Sequence, residues 1–151
     1  MPEQKAPKAN RDRNDLEASG ADKANMDERR RVLHAATEAV AHEILIDVAG
    51  HPEGAPSEKE LDWMNTDVSR RTITRRLDDL VDAGVLSRLT YEQDELPVGA
   101  ESTVRTFYRI TDSARKLFDE VGMFDPAVWQ PVYARVEKSE DIEAAEAVPR
   151  P

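Results

Sequence analysis

The stretch from Ser69 to Leu86, Ser-Arg-Arg-Thr-Ile-Thr-Arg-Arg-Leu-Asp-Asp-Leu-Val-Asp-Ala-Gly-Val-Leu, carries its own start and stop signals. Ser69 is suited to accept a hydrogen bond from the free N–H groups of a first helical turn, and Gly84 to adopt the left-handed conformation that closes the last one. Between them Ile73, Leu77, Leu80 and Val81 recur at i, i+4, i+7 and i+8, which places one apolar stripe along one side of a helix. That stripe must be buried. At about 100° per residue, Arg71, Thr72 and Arg75 fall opposite it, with Arg70, Thr74 and Arg76 on its flanks. The chain therefore needs a core that takes one edge of this helix and leaves a guanidinium-rich face outside.

The flanking sequence supplies such a core. Ser57-Glu58-Lys59-Glu60 has the form of a capping box and opens a short helix carrying Leu61 and Met64. Beyond Gly84, Val85 to Tyr91 and Thr103 to Ile110 read as strands, the second alternating Val104, Thr106, Tyr108 and Ile110 against Thr103, Arg105, Phe107 and Arg109. Pro97 and Gly99 lie in the loop between them, so the pair reads as an antiparallel hairpin. Thr111 then caps a helix whose Ala114, Leu117, Phe118 and Val121 keep helical spacing up to Gly122. The arginines have two readings. Guanidinium forks match phosphate oxygens and the O6/N7 edge of guanine, and short hydroxyl side chains allow close approach to a groove floor. Alternatively they form a solvated face paired with Asp78, Asp79 and Asp82.

Short helix, turn, arginine-rich helix and hairpin, with Val68 to Arg75, Leu80-Val81-Asp82-Ala83-Gly84-Val85-Leu86 and Tyr108-Arg109-Ile110-Thr111-Asp112 as its markers, resembles winged helix-turn-helix regulators of the MarR, PadR and ArsR type. The likeness runs from about Asp27 to Gly122. It implies a mainly α fold with a small β-hairpin wing (α+β), a long N-terminal helix and extra C-terminal helices. It also implies a homodimeric repressor on a palindromic duplex DNA site. On this reading Ser69, Arg70, Arg71, Thr72, Thr74, Arg75 and Arg76 meet DNA, with Arg88 and Arg105 the first candidates on the hairpin. The hairpin tip, Glu92-Gln93-Asp94-Glu95 with Glu101, is acidic where many such regulators carry Arg or Lys, which speaks against contact there.

The run from Asp27 to Val48 reads as one helix of about six turns, with Leu33, Ala36, Val40, Ile44 and Val48 on one face. It exceeds what a small winged core covers, so its apolar side either meets a second subunit or packs within the chain. Asp125-Pro126 starts a C-terminal helical segment, 123–138, in which Trp129, Val132, Tyr133 and Val136 are spaced for a helical face and Pro131 bends or breaks the element. Leu33, Val40, Ile44, Trp129, Val132, Tyr133 and Val136 are the candidate dimer contacts. Residues 1–25 and the acidic, alanine-rich 139–151 are expected to lack structure, leaving 26–122 as the folded domain.

Charge stands against the nucleic-acid reading at first sight: 31 Asp and Glu face 21 Lys and Arg, a net charge of −10. The deficit is in lysine, with only six among the 21 cations, a pattern similar to proteins of extremely halophilic archaea. In molar salt the Debye length is about 3 Å, so long-range repulsion from DNA is screened and bidentate contacts decide. The same inventory speaks against an enzyme. With no Cys there is no thiol chemistry, and the three His include only one helical series, His34, Glu38 and His42, with ligand spacing. No glycine-rich phosphate loop is present, and no cofactor or metal is expected. Without an apolar leader or membrane span in the sequence, a cytoplasmic protein without membrane contact is expected. The competing class is a winged-helix protein-interaction module in a transcription or replication assembly, using the same surfaces without reading bases.

Overall fold

The computed structural model describes residues 13–92, 95 and 104–151, with the side chains of 13–19 and 21 left aside. Contacts divide the chain into two units, Met1–Arg31 and Val32–Pro151. The described part of the first is helix, the opening turns of α1 (Arg13–Ala36), which starts inside the 1–25 stretch expected to lack structure. Asp22 to Glu28 are exposed there, so this helix rests on the intrinsic preference of its Ala, Glu and Lys residues.

In the second unit the single helix expected from Asp27 to Val48 is two. The Thr37 hydroxyl donates to the Leu33 carbonyl (2.8 Å), and Glu38, in extended backbone, caps α2 (Ala39–Gly50) by accepting from Ala41 N–H at 2.9 Å. Thr37 and Glu38 thus offer the backbone local partners that end one helix and start the next. At the far end of α2, a Cβ on Gly50 would lie 3.0 Å from Tyr133 Cβ and 3.1 Å from the Trp129 carbonyl oxygen. Any larger residue at this position would press α2 against α6 (Pro126–Tyr133) and require α6 to give by a few tenths of an ångström.

The local signals around the centre of the chain act as their chemistry requires. Ser57 and Glu60 form the reciprocal capping box of α3 (Glu58–Met64), and Ser69 accepts from Thr72 N–H to cap α4 (Arg70–Asp82). Ile73, Leu77 and Leu80 are fully buried with Ile44, Leu45 and Leu61. Gly84 follows in the left-handed region (φ 78°), and β1 (Leu86–Thr90) pairs antiparallel with β2 (Thr106–Ile110), Leu86 opposite Ile110 and Thr90 opposite Thr106. Ser57 bridges Phe107, and Tyr108 N–H donates to the Pro56 carbonyl, fastening the hairpin beside the start of α3. Thr111 caps α5 (Asp112–Val121), which Gly122 ends at φ 74°.

The C-terminal segment departs from expectation. Residues 139–151, read as a flexible acidic tail, contain α7 (Glu140–Ala147), with Ile142, Ala145 and Val148 buried. Ala145 and Val148 join Ala55, Val104 and Phe107 in a second small core. The Arg150 side chain, 7% exposed, closes it. It donates to the carbonyls of Ala55 (2.8 Å) and Val148 (2.6 Å), stacks 4.4 Å from the Phe107 ring centroid, and meets Glu60 Oε2 at 2.8 Å. Burial pushes the Glu60 carboxyl up, but hydrogen bonds from His51 and Ser57 N–H, with the charge of Arg150, outweigh it and hold the group below the ordinary carboxylate range. His51 itself is fully buried; its Nδ1 accepts from Glu53 N–H, so its Nε2 carries the proton toward Glu60 Oε1 at 2.9 Å. Composition hid this docking: three small or apolar residues at i, i+3 and i+6 are a faint signal among carboxylates.

Candidate nucleic-acid interface

α3, the turn at 65–69 and α4 form a helix-turn-helix, and the turn is fixed from below. Asn65 donates to the Leu61 carbonyl (2.8 Å) and to buried Asp47 of α2 (2.9 Å). With its stripe anchored, α4 presents Arg70, Arg71 and Arg75 to solvent, and none of the three has an ion pair among the described residues. Ser69 and Thr72 are joined hydroxyl to hydroxyl at 2.9 Å beside them.

Three other sequence candidates are engaged. Arg76 is held by Glu38, whose Oε2 lies 3.0 Å from its Nε, and by Asp79, which accepts from its NH1 at 3.2 Å. The Glu38 contact is a charge pairing off the line of a hydrogen bond, leaving Nε buried without one. The side of α4 facing the α1–α2 junction thus withdraws this arginine from the exposed set. Thr74 turns its hydroxyl to the Arg70 carbonyl (3.0 Å) and the Glu58 carboxylate rather than outward. Arg88 on β1 pairs with Asp78 (2.6 Å) and lies 5.6 Å from the Tyr108 ring centroid. Its Tyr108 hydrogen bond, together with Asp78, raises the guanidinium above its ordinary value, so its charge is permanent. Of the α4 arginines, only Arg76 makes such a pairing among the described residues, through Asp79, while Asp78 is taken by Arg88 of β1.

Arg105 lies just before β2 and lines a cleft of about 560 Å³ with Lys59, Arg70, Thr90, Thr106 and Glu58. One of its terminal nitrogens donates to the Tyr91 carbonyl (3.3 Å), while its Nε is buried with no acceptor among the described residues. Lys59 escaped the sequence reading: a lone lysine inside a capping box has no pattern, and only the fold brings it beside Arg70 and Arg105. Of the acidic hairpin tip, Gln93, Asp94 and Glu101 lie outside the described residues, and Glu92 and Glu95 are exposed.

The candidate dimer contacts separate by burial. Ile44 and Tyr133 are used inside the chain, at 0% and 4% exposure, and Leu33, Val40 and Trp129 pack partly against the main core. Val136 is half-buried, whereas Val132 is 50% exposed with Val128 beside it at 56%. The expected His34, Glu38, His42 series is broken by the helix interruption at 37–38, and His42 packs 5.1 Å from Phe124. Among the described residues His51, Glu60 and Glu146 approach one another closely enough to be metal ligands, but the Arg150 guanidinium stands against His51 and Glu60. No helix among the described residues is long and apolar enough to cross a membrane.

No protein-family model and no curated protein matches this sequence. Among solved structures the chain is similar to a protein with a GntR superfamily winged-helix-turn-helix domain from Halomicrobium mukohataei, at 25% identity over 85% of this chain and 87% of that one, with a TM-score of 0.68. NadR, in complex with 4-hydroxyphenylacetate, is a looser likeness: 21% identity over 89% of this chain and 85% of that one, with a TM-score of 0.44. The fold, seven helices among the described residues and a two-stranded antiparallel hairpin, is a winged helix-turn-helix.

Proposed function

Starting from a winged helix-turn-helix chain, we propose that the protein is a non-catalytic, sequence-specific DNA-binding transcription regulator, a cytoplasmic homodimeric repressor that grips a palindromic site through α4. The observation that carries this reading is the face of α4: three arginines, Arg70, Arg71 and Arg75, exposed and without an ion pair among the described residues, in a chain where carboxylates outnumber cations 31 to 21. In such an acidic protein an exposed arginine has many carboxylates to meet, so three left unpaired on one face are placed for an outside anion. The likeness of the sequence to MarR, PadR and ArsR regulators supports the same reading, as does the solved winged-helix neighbour. Two subunits would set their α4 helices into major-groove half-sites about 34 Å apart.

Selection of binding sites from random duplexes, followed by fluorescence anisotropy on the selected site, tests this. A palindromic consensus is the expected result. Arg75→Ala should then cost about 1–3 kcal/mol and relax preference at one position if Arg75 reads a base, or weaken all sequences alike if it holds a phosphate. Wild-type protein that enriches no sequence, and binds no duplex, returns the chain to the protein-interaction class.

A further inference from the structure

We propose that Glu38 sets the DNA affinity of α4 by holding Arg76 out of the footprint, so that Arg76 is a further phosphate-binding arginine kept in reserve. This rests on the DNA-binding reading and names a control on that same face. Of the arginines of α4, Arg70, Arg71 and Arg75 are exposed with no ion pair among the described residues, and Arg76 is paired. Its fixed partner comes from outside the helix. Glu38 Oε2 lies 3.0 Å from Arg76 Nε and at the same time accepts from Ala41 N–H at 2.9 Å to cap α2. The cap therefore holds the carboxylate in place for the arginine. Burial pushes the Glu38 carboxyl up, but the N–H groups of Ala41 and Val40 and the charge of Arg76 outweigh this and keep it below the ordinary carboxylate range. The other partner, Asp79, accepts from Arg76 NH1 at 3.2 Å and is exposed. An exposed pair of this kind contributes little by itself, so Glu38 decides where Arg76 rests.

The pairing holds Arg76 without satisfying it. Arg76 Nε is buried and has no hydrogen-bond acceptor among the described residues, because Glu38 lies off the line of its N–H. A charged donor left in that state is costly. A phosphate offers a guanidinium what Glu38 does not, oxygens aligned for two parallel bonds. Arg76 follows exposed Arg75 and stands one turn beyond Thr72, and its side chain, 27% exposed, is not enclosed. Phosphate and Glu38 therefore compete for one guanidinium, and the affinity of the wild type is lowered by what Glu38 holds back. Because a single oxygen serves both the cap and the arginine, a movement of the α1–α2 junction that draws Glu38 away frees Arg76. The junction thereby gains control over binding.

The test is a double-mutant cycle on the full chain, Glu38→Gln, Arg76→Gln and the two together, with duplex binding followed by anisotropy across a salt series. Gln at this position keeps an acceptor for Ala41 N–H and drops the charge. Glu38→Ser, which introduces a strong capping residue, replaces it should Glu38→Gln lower the thermal transition. Glu38→Gln is expected to tighten duplex binding about tenfold, the worth of one charge-assisted hydrogen bond. It also steepens the salt slope by about 0.9, as one more phosphate is neutralised. Arg76→Gln cancels that gain in the Glu38→Gln background and costs much less in the wild type. Neutralising an acid near DNA tightens binding by itself, but that effect adds independently of Arg76 and survives its loss. Without DNA, the Arg76 Nε–H, buried in the wild type, exchanges with solvent faster in Glu38→Gln. Wild type that binds duplex, with Arg76→Gln costing the same in both backgrounds or with that exchange unchanged, overturns the lock and leaves the DNA-binding reading standing. Wild type and Glu38→Gln that both bind no duplex remove that reading and the lock together.

Discussion

Asp47 shows how one side chain ties the helix-turn-helix to its support. It is buried in α2, accepts from Asn65 in the turn before α4, and has Glu43 on its own helix and Tyr133 of α6 as ionisable neighbours. Burial raises its pKa from 3.8 to about 7, partly offset by the Asn65 hydrogen bond and reinforced by the charge of Glu43. Between those two values the folded protein keeps a proton that the unfolded chain has released, so stability falls as pH rises from about 4 to 7 and levels off above. Asp47→Asn keeps an acceptor for Asn65 and removes the titration. It is expected to be more stable than wild type at pH 8, by the order of 3 kcal/mol, with the difference vanishing near pH 4. Urea denaturation at both pH values measures it, and a gap independent of pH would contradict the assignment. Glu60 acts with the opposite sign: its lowered carboxyl contributes stability that is complete above the ordinary glutamate value and is lost as pH falls through the folded one.

At the scale of elements, α7 and the residues after it decide how the hairpin sits on α3. Phe107 belongs to the same alternating series of the hairpin as Arg105 and Arg109, yet it is fully buried because Ala145, Val148 and Arg150 cover it. Arg150 joins these elements, touching Ala55 before α3, Glu60 within it and Phe107 on β2. Arg150→Gln leaves the Glu60 carboxylate buried without its cation and is expected to cost about 3–5 kcal/mol. Denaturant titration gives the loss directly, and a change below about 1 kcal/mol, the scale of an exposed pair, would show the segment to be a loose attachment. The α1–α2 interruption has a comparable effect on the interface, since Glu38 caps α2 and pairs with Arg76 at the same time.

For the whole molecule, Val132 on α6 is the expected dimer contact that the fold leaves most exposed, and Val128, which was not among those expected, is exposed on the same helix. With the homodimer proposed above, Val132→Asp is expected to yield a folded monomer by light scattering, with an unchanged circular dichroism spectrum and weakened binding to a palindromic duplex. A wild-type chain that is monomeric at micromolar concentration would remove the dimer. The net charge of −10 bears on conditions of action. If an acidic protein grips DNA by short-range arginine contacts, its affinity persists into molar potassium chloride, where the Debye length is about 3 Å. A steep collapse between tenths molar and molar salt would show that counterion release dominates instead.

Much of this molecule is written in short-range chemistry. The caps at Ser57, Ser69, Thr111 and Asp125, the left-handed stops at Gly84 and Gly122, and the stripe of Ile73, Leu77 and Leu80 each depend on residues within a turn or two of one another. A backbone donor and its capping oxygen two or three positions away lie within reach of each other whatever the rest of the chain does, so helix, hairpin and the outward arginines of α4 were legible from the amino acids alone. Which arginines stay unpaired was not. The pairing of Arg76 with Glu38, the meeting of Lys59, Arg70 and Arg105 around one cleft, and the burial of Phe107 under the C-terminal segment all join residues far apart in the chain. Such contacts depend on the relative placement of whole elements, which packing of the shared core selects and no local pattern encodes.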